Sequence, residues 1–262
     1  MTRFGRVLKL DFVEGYKSML WGVLCMTLLY LFFFWFAHNL GYHSLAADYI
    51  SDSEVRKVMF ISNICEMVGV LGIMAMYIYF LIAASTLYRC EQKKQQRIAW
   101  LMLPTSNLEK FTSRWIYLLV FSLVGGILPF FIADLIHMAY LSMTDYPVMS
   151  ATDDFFGFVP KMSSYGPDPL MSFLRTCFIY VCIHSFFLFG GVFFRKFHFI
   201  ATSAVMVIGL VIVFTITNTF HLYVYLNRID IFIYVGLTVL FTWLSYWLFC
   251  RWQVITHKFV NL

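Results

Sequence analysis

The sequence predicts an all-α integral membrane protein with six transmembrane helices, and three observations carry that prediction. Of 262 residues, 61% are hydrophobic and only 13% charged, about half the charged share of an ordinary soluble domain. The apolar residues gather in blocks of roughly 20, the length a helix needs to cross a hydrocarbon core about 30 Å thick. Those blocks are continuous rather than alternating. That excludes a barrel, the only other way to satisfy every backbone group in lipid.

Residues 1–18 predict an amphipathic interfacial helix: Phe4, Leu8, Phe12, Tyr16, Met19 and Leu20 recur at helical spacing, with Lys9, Glu14 and Lys17 on the other side. Such a helix would lie along the membrane surface; the alternative is that it simply begins the first span. That span, Met19–His38, is too long for a signal-peptide core and has no small-x-small site after it, so it reads as a retained anchor. The second span, Phe60–Tyr88, is long enough to tilt. The third, Trp115–Met138, contains Gly125-Gly126 and Pro129, which predict close helix approach and a bend. Residues 140–169 form the longest irregular loop, rich in proline, and its Asp153–Phe158 stretch is expected to dip into the interface. Leu170–Phe189, Ile200–Phe220 and Ile231–Cys250 complete the six. No repeat, low-complexity tract or second domain is evident, so residues 1–262 read as a single transmembrane domain.

Charge orients the spans. Arg3, Arg6, Lys9, Lys17, Arg89, Lys93, Lys94, Arg97, Lys110, Arg114, Arg195, Lys196, Arg251 and Lys258, 14 of the 19 Lys and Arg, fall on one side. The opposite loops hold only Arg56, Lys57, Lys161 and Arg228, and Arg175 falls within a span. By the positive-inside rule both termini are expected in the cytoplasm. The net charge of +5 arises from this loop bias and predicts no nucleic-acid partner; the expected surroundings are lipid. The 6 Cys lie mostly in or beside apolar spans without metal-site spacing, so neither a metal nor a bound cofactor is expected in this chain.

The loop between spans two and three, RCEQKKQQRIAWLMLPTSNLEKFTSRW from Arg89 to Trp115, is the most informative segment. Glu91–Leu103 predicts a short helix on which Ile98, Leu101 and Leu103 share a side while Lys93, Lys94 and Arg97 stay wet. Pro104 stops it, because proline disfavours helix at the residue before it. Ser106 and Glu109 then form an S-x-x-E capping box that opens the next helix near Asn107. A charged helix, a proline break and a capped restart together present a short helix to a cytoplasmic partner.

Here the sequence resembles the permease subunits of ATP-binding-cassette transporters of the type-2 exporter class. The matching residues are Arg97, Leu103, Pro104, Thr105, Ser106, Leu108, Glu109 and Lys110. The resemblance implies that residues 89–112 are a coupling region, with Arg97, Leu101, Leu103, Pro104, Thr105, Ser106, Glu109 and Lys110 as its ATPase-coupling residues. It also implies two copies of a separate cytoplasmic ATPase carrying ATP and Mg, a second permease subunit forming a homodimer or heterodimer, and residence in a bacterial inner membrane. The cargo it suggests is a peptide, an antimicrobial compound or a lipid. One departure stands out: the long outer loop joins spans three and four, whereas in well-known exporters of the class the large outer element lies between spans five and six. The chain has no G-x-x-x-x-G-K-[ST] loop, so any ATP hydrolysis is expected in a partner.

Ionisable groups inside a membrane are costly, and each is a candidate functional residue. Glu66, Asp134, His137 and Arg175 fall in the outer halves of their spans and are candidates for a translocation path or gate. Asp134 and His137, at i and i+3, share a helix face, and an Asp134–Arg175 ion pair is the structural alternative. His184 lies deeper and reads as bonded to a neighbouring helix. Two other classes compete with transport: an intramembrane enzyme, and a non-transporting accessory or sensory subunit. The sequence lacks H-E-x-x-H, G-x-S-x-G and paired carboxylates within a span, so no catalytic residue is expected.

Overall fold

A computed structural model of the protein describes residues 3–44, 53–86, 105–156, 169–194, 197–219 and 223–251. They form six long helices: α1 (Arg3–Ser44), α2 (Ser53–Thr86), α3 (Asn107–Ser142), α4 (Pro169–Phe193), α5 (His198–Thr219) and α6 (Tyr223–Cys250). Each contains a stretch long and apolar enough to cross a membrane. The chain is therefore a multi-pass, all-α membrane protein, and the six stretches overlap the six spans expected from sequence.

The N-terminal segment is continuous with the first span. Residues 1–18 were expected either as an interfacial helix or as the start of that span, and α1 runs unbroken for 42 residues from Arg3. At a rise of about 1.5 Å per residue such a helix is about 60 Å long, twice a hydrocarbon core. No proline separates Phe12 from Met19, and Gly15 alone costs a helix only about 1 kcal/mol. The buried face also differs. Val7 and Asp11, one turn apart, are buried, whereas Tyr16 and Leu20 of the expected apolar face are exposed.

The described residues form two compact units, each assembled from discontinuous stretches. One comprises residues 14–79 and 120–167 and contains α1 from Glu14 onward, α2 as far as Tyr79 and α3 from Val120 onward. Its core is aromatic: Tyr30, Phe34, Phe60, Phe130 and Phe155 pack with Ile61, Ile64 and Val68. The Tyr30 hydroxyl donates to the Gly126 carbonyl at 3.2 Å, joining α1 to α3. Gly126 admits Met76 of α2 so closely that an added Cβ would lie 2.6 Å from Met76 Cγ, and Gly125 likewise admits Tyr79. The glycine pair thus serves the close approach its sequence suggested. Helix α3 continues through Pro129.

The loop after α3 is part of this core. Residues 152–156 form a helical turn, and Phe155, 1% exposed, stacks on Phe130 at 4.0 Å between ring centroids. Gly69 and Gly72 of α2 make room for it. A Cβ on Gly69 would sit 2.9 Å from Asp154 Cβ and 3.0 Å from the Phe155 nitrogen; on Gly72 it would meet the Phe130 ring at 2.8 Å.

The second unit comprises residues 1–13, 80–119 and 168–262. In it α4 packs against α5 and α6. Gly190 of α4 sits directly against Thr202 of α5, and Gly191 against the Ser85 carbonyl of α2. Beyond Thr202, α5 turns outward-facing on all sides: Val207, Ile208, Leu210, Val211, Ile212 and Phe214 are all more than half exposed. In water that would be strongly unfavourable; against lipid tails, which are as apolar as leucine, it costs little.

Candidate functional site

The segment expected to carry the coupling function is described from Thr105 onward. Arg97, Leu101, Leu103 and Pro104 lie outside the described residues. The capping box at the restart forms in both directions. The Ser106 backbone N–H donates to Glu109 Oε2 at 2.9 Å, and the Glu109 N–H donates to Ser106 Oγ at 3.2 Å. Two helix-terminal donors are thereby satisfied, and the Lys110 N–H donates to the Ser106 carbonyl at 3.1 Å as the first helical bond. Thr105 and Glu109 are half-buried, Ser106 is exposed, and Lys110 is buried.

One turn further on, α3 is clamped by the N-terminal helix. Asp11, 2% exposed, accepts a hydrogen bond from Ser113 Oγ at 2.5 Å. Its other carboxylate oxygen lies 2.8 Å from Arg114 Nε, with both side chains buried. Phe12, next along α1, meets Tyr117 of α3 edge-on at 5.3 Å. On its other side α3 reaches α6, where Phe111 packs against Tyr246 and Phe249. In the sequence Asp11 carries no motif, and Arg114 is one more charge of the basic loop. The signal was an acid in register with Val7 on α1, a carboxylate in the buried stripe. A buried charge must be paired or it becomes prohibitively costly.

The polar residues of the spans take different roles. Asp134 is 1% exposed and anchors the loop that follows α3. Its carboxylate accepts from Ser150 Oγ at 2.6 Å, Thr152 Oγ1 at 2.8 Å and the Ala151 N–H at 3.0 Å. The partner expected from sequence, Arg175, belongs to the other unit and is half-buried on α4. Glu66 is exposed on α2, beside buried Cys65. His184 is buried on α4, its ring 4.2 Å from that of Phe80, and neither nitrogen has a hydrogen-bond partner among the described residues. The helix-to-helix bond expected of it is absent there.

His137 has a partner that the sequence did not suggest. Its Nε2 lies 3.2 Å from Nε2 of His38 on α1, and Phe34 stacks on its ring at 4.1 Å. His137 Nδ1 is buried without a hydrogen-bond partner among the described residues. Beside the pair lies a cavity of ≈ 580 Å³, lined by both histidines and by Phe34, Trp35, Tyr140 and Tyr146 among others. Asp134 and His137 therefore share a face of α3 as expected, but one pins a loop and the other meets α1. No group of three or more His, Cys, Asp or Glu converges as a metal site among the described residues. Comparisons with protein-family models, with curated proteins and with solved structures find no match to this chain.

Proposed function

We propose that this chain is the membrane-spanning permease subunit of an ATP-driven exporter, energised by a separate cytoplasmic cassette ATPase. It would sit in a bacterial inner membrane with both termini inside, paired with a second permease subunit. The observation that carries this reading is the doubly anchored start of α3. A helix that begins with a closed capping box at Ser106 and Glu109 is tied one turn later to α1 through Asp11 and Arg114. The charged segment ending at Leu103-Pro104 leads straight into that anchored turn.

Force applied to the segment then has two exits. The capping box resists fraying of the first turn, so displacement passes along α3 rather than being absorbed at its end. The Asp11–Arg114 pair carries the same displacement into α1. In this mechanism the permease alternates between two arrangements of its spans, and the partner ATPase biases them by docking differently in its two nucleotide states.

The test is purification of the chain with a bacterial cassette ATPase and reconstitution of the complex. Glu109→Lys and Arg97→Glu are each expected to lower ATPase activity of the complex at least tenfold. A chain that neither binds such an ATPase nor alters its turnover, with or without these changes, would rule the reading out.

A further inference from the structure

The His38–His137 pair has the geometry of a metal clamp. We propose that it binds a single divalent first-row transition ion, of the copper and zinc type, bridging α1 to α3. Such an ion sits about 2.0–2.1 Å from each imidazole nitrogen. Two nitrogens 3.2 Å apart would then subtend an angle of about 100° at the ion, close to the tetrahedral angle and to adjacent corners of a square-planar site. The rings already face one another through Nε2, so the ion can enter with little backbone movement.

Three further observations favour an ion over a permanent hydrogen bond. The helices are held at this spacing by other contacts: Tyr30 bonds the Gly126 carbonyl, and Asp134 fixes α3 to residues 150–152. The pair therefore need not supply the joint itself. Second, His137 Nδ1 has no partner among the described residues, so nothing at that nitrogen dictates the tautomer. The proton can move to Nδ1 and leave the Nε2 lone pair to an ion. Third, a cavity of ≈ 580 Å³ adjoins both rings, with room for water or another exchangeable donor to complete the coordination. With two protein ligands and no carboxylate acceptor behind His137 among the described residues, the site is an open one of modest affinity. It favours Cu(II), the tightest-binding divalent ion of the first-row series.

The proposal does not depend on the transport reading, and its test uses the purified full-length chain without any ATPase. Cu(II) is titrated into the protein in detergent and the bound ion examined by electron paramagnetic resonance. The expected spectrum shows two imidazole nitrogens at one Cu(II) per chain, and His38→Ala and His137→Ala should each weaken that binding at least tenfold. His184→Ala, which alters a buried histidine of the other unit, should leave it unchanged. Zn(II), added alone, should raise the melting temperature of the wild type but not of the two histidine variants. Absence of a two-nitrogen signal in the wild-type protein would overturn the proposal even if a variant failed to fold. Copper binding that survives both histidine changes in folded protein would overturn it equally.

Discussion

Asp11 and Asp134 illustrate what a carboxylate does inside this protein. Each is almost fully buried and each gathers donors from a second segment, so each works as a fastener. Removing one partner of a buried ion pair strands the other charge, at a cost of about 3–5 kcal/mol. Asp11→Ala should therefore destabilise the protein strongly, whereas Asp11→Leu combined with Arg114→Met should recover much of the loss; thermal unfolding in detergent compares the two. At Asp134, replacement by alanine removes three hydrogen bonds to a charged acceptor, each worth about 1.5–3 kcal/mol. The expected outcome is a lowered melting temperature and faster proteolysis between residues 140 and 169. At this scale the sequence was legible in part. The Ser106–Glu109 box was readable because a cap is local, four residues in a row. Asp11, His38 and the donors at Ser150–Thr152 were not, because their partners lie 102, 99 and 16 to 18 positions away.

Helices read well from this sequence and their packing faces read poorly. Span lengths follow from hydropathy, which is additive along the chain, so all six were found. Faces follow from neighbours, and lipid removes the polar-versus-apolar contrast that marks them in soluble proteins. The N-terminal stretch shows the consequence: its amphipathic pattern suggested a separate surface helix, but its buried stripe contains Val7 and Asp11 and the helix continues into the first span. Glycines were better guides. Gly69 and Gly72 face the 152–156 turn with no room for a side chain, while Gly209 and Gly236 face nothing within 4 Å. Gly69→Val should push the Phe155 turn off α2 and destabilise by about 1–3 kcal/mol, as overpacking does. Gly209→Ala should be neutral or stabilising by up to about 1 kcal/mol, through helix propensity alone. Similar losses at both sites, read from melting curves, would mean that α5 is packed rather than exposed.

At the level of the whole molecule, the start of α3 acts as the transmission in the proposed transport mechanism. The capped start of α3, its ion pair to α1 and its ring contacts to α6 all belong to one compact unit. The aromatic core, the Phe155 turn and the histidine pair belong to the other. Function divides along the same line in the proposed mechanism, with the unit that holds the start of α3 receiving the stroke. All of it requires residues 89–104 to face the cytoplasm, as the distribution of Lys and Arg predicts. Cys90 reports on this directly once the other 5 cysteines are replaced by serine. A membrane-impermeant maleimide should leave Cys90 unlabelled in intact cells and label it in inside-out vesicles. Labelling in intact cells would place the segment beyond the reach of any cytoplasmic ATPase and contradict the account.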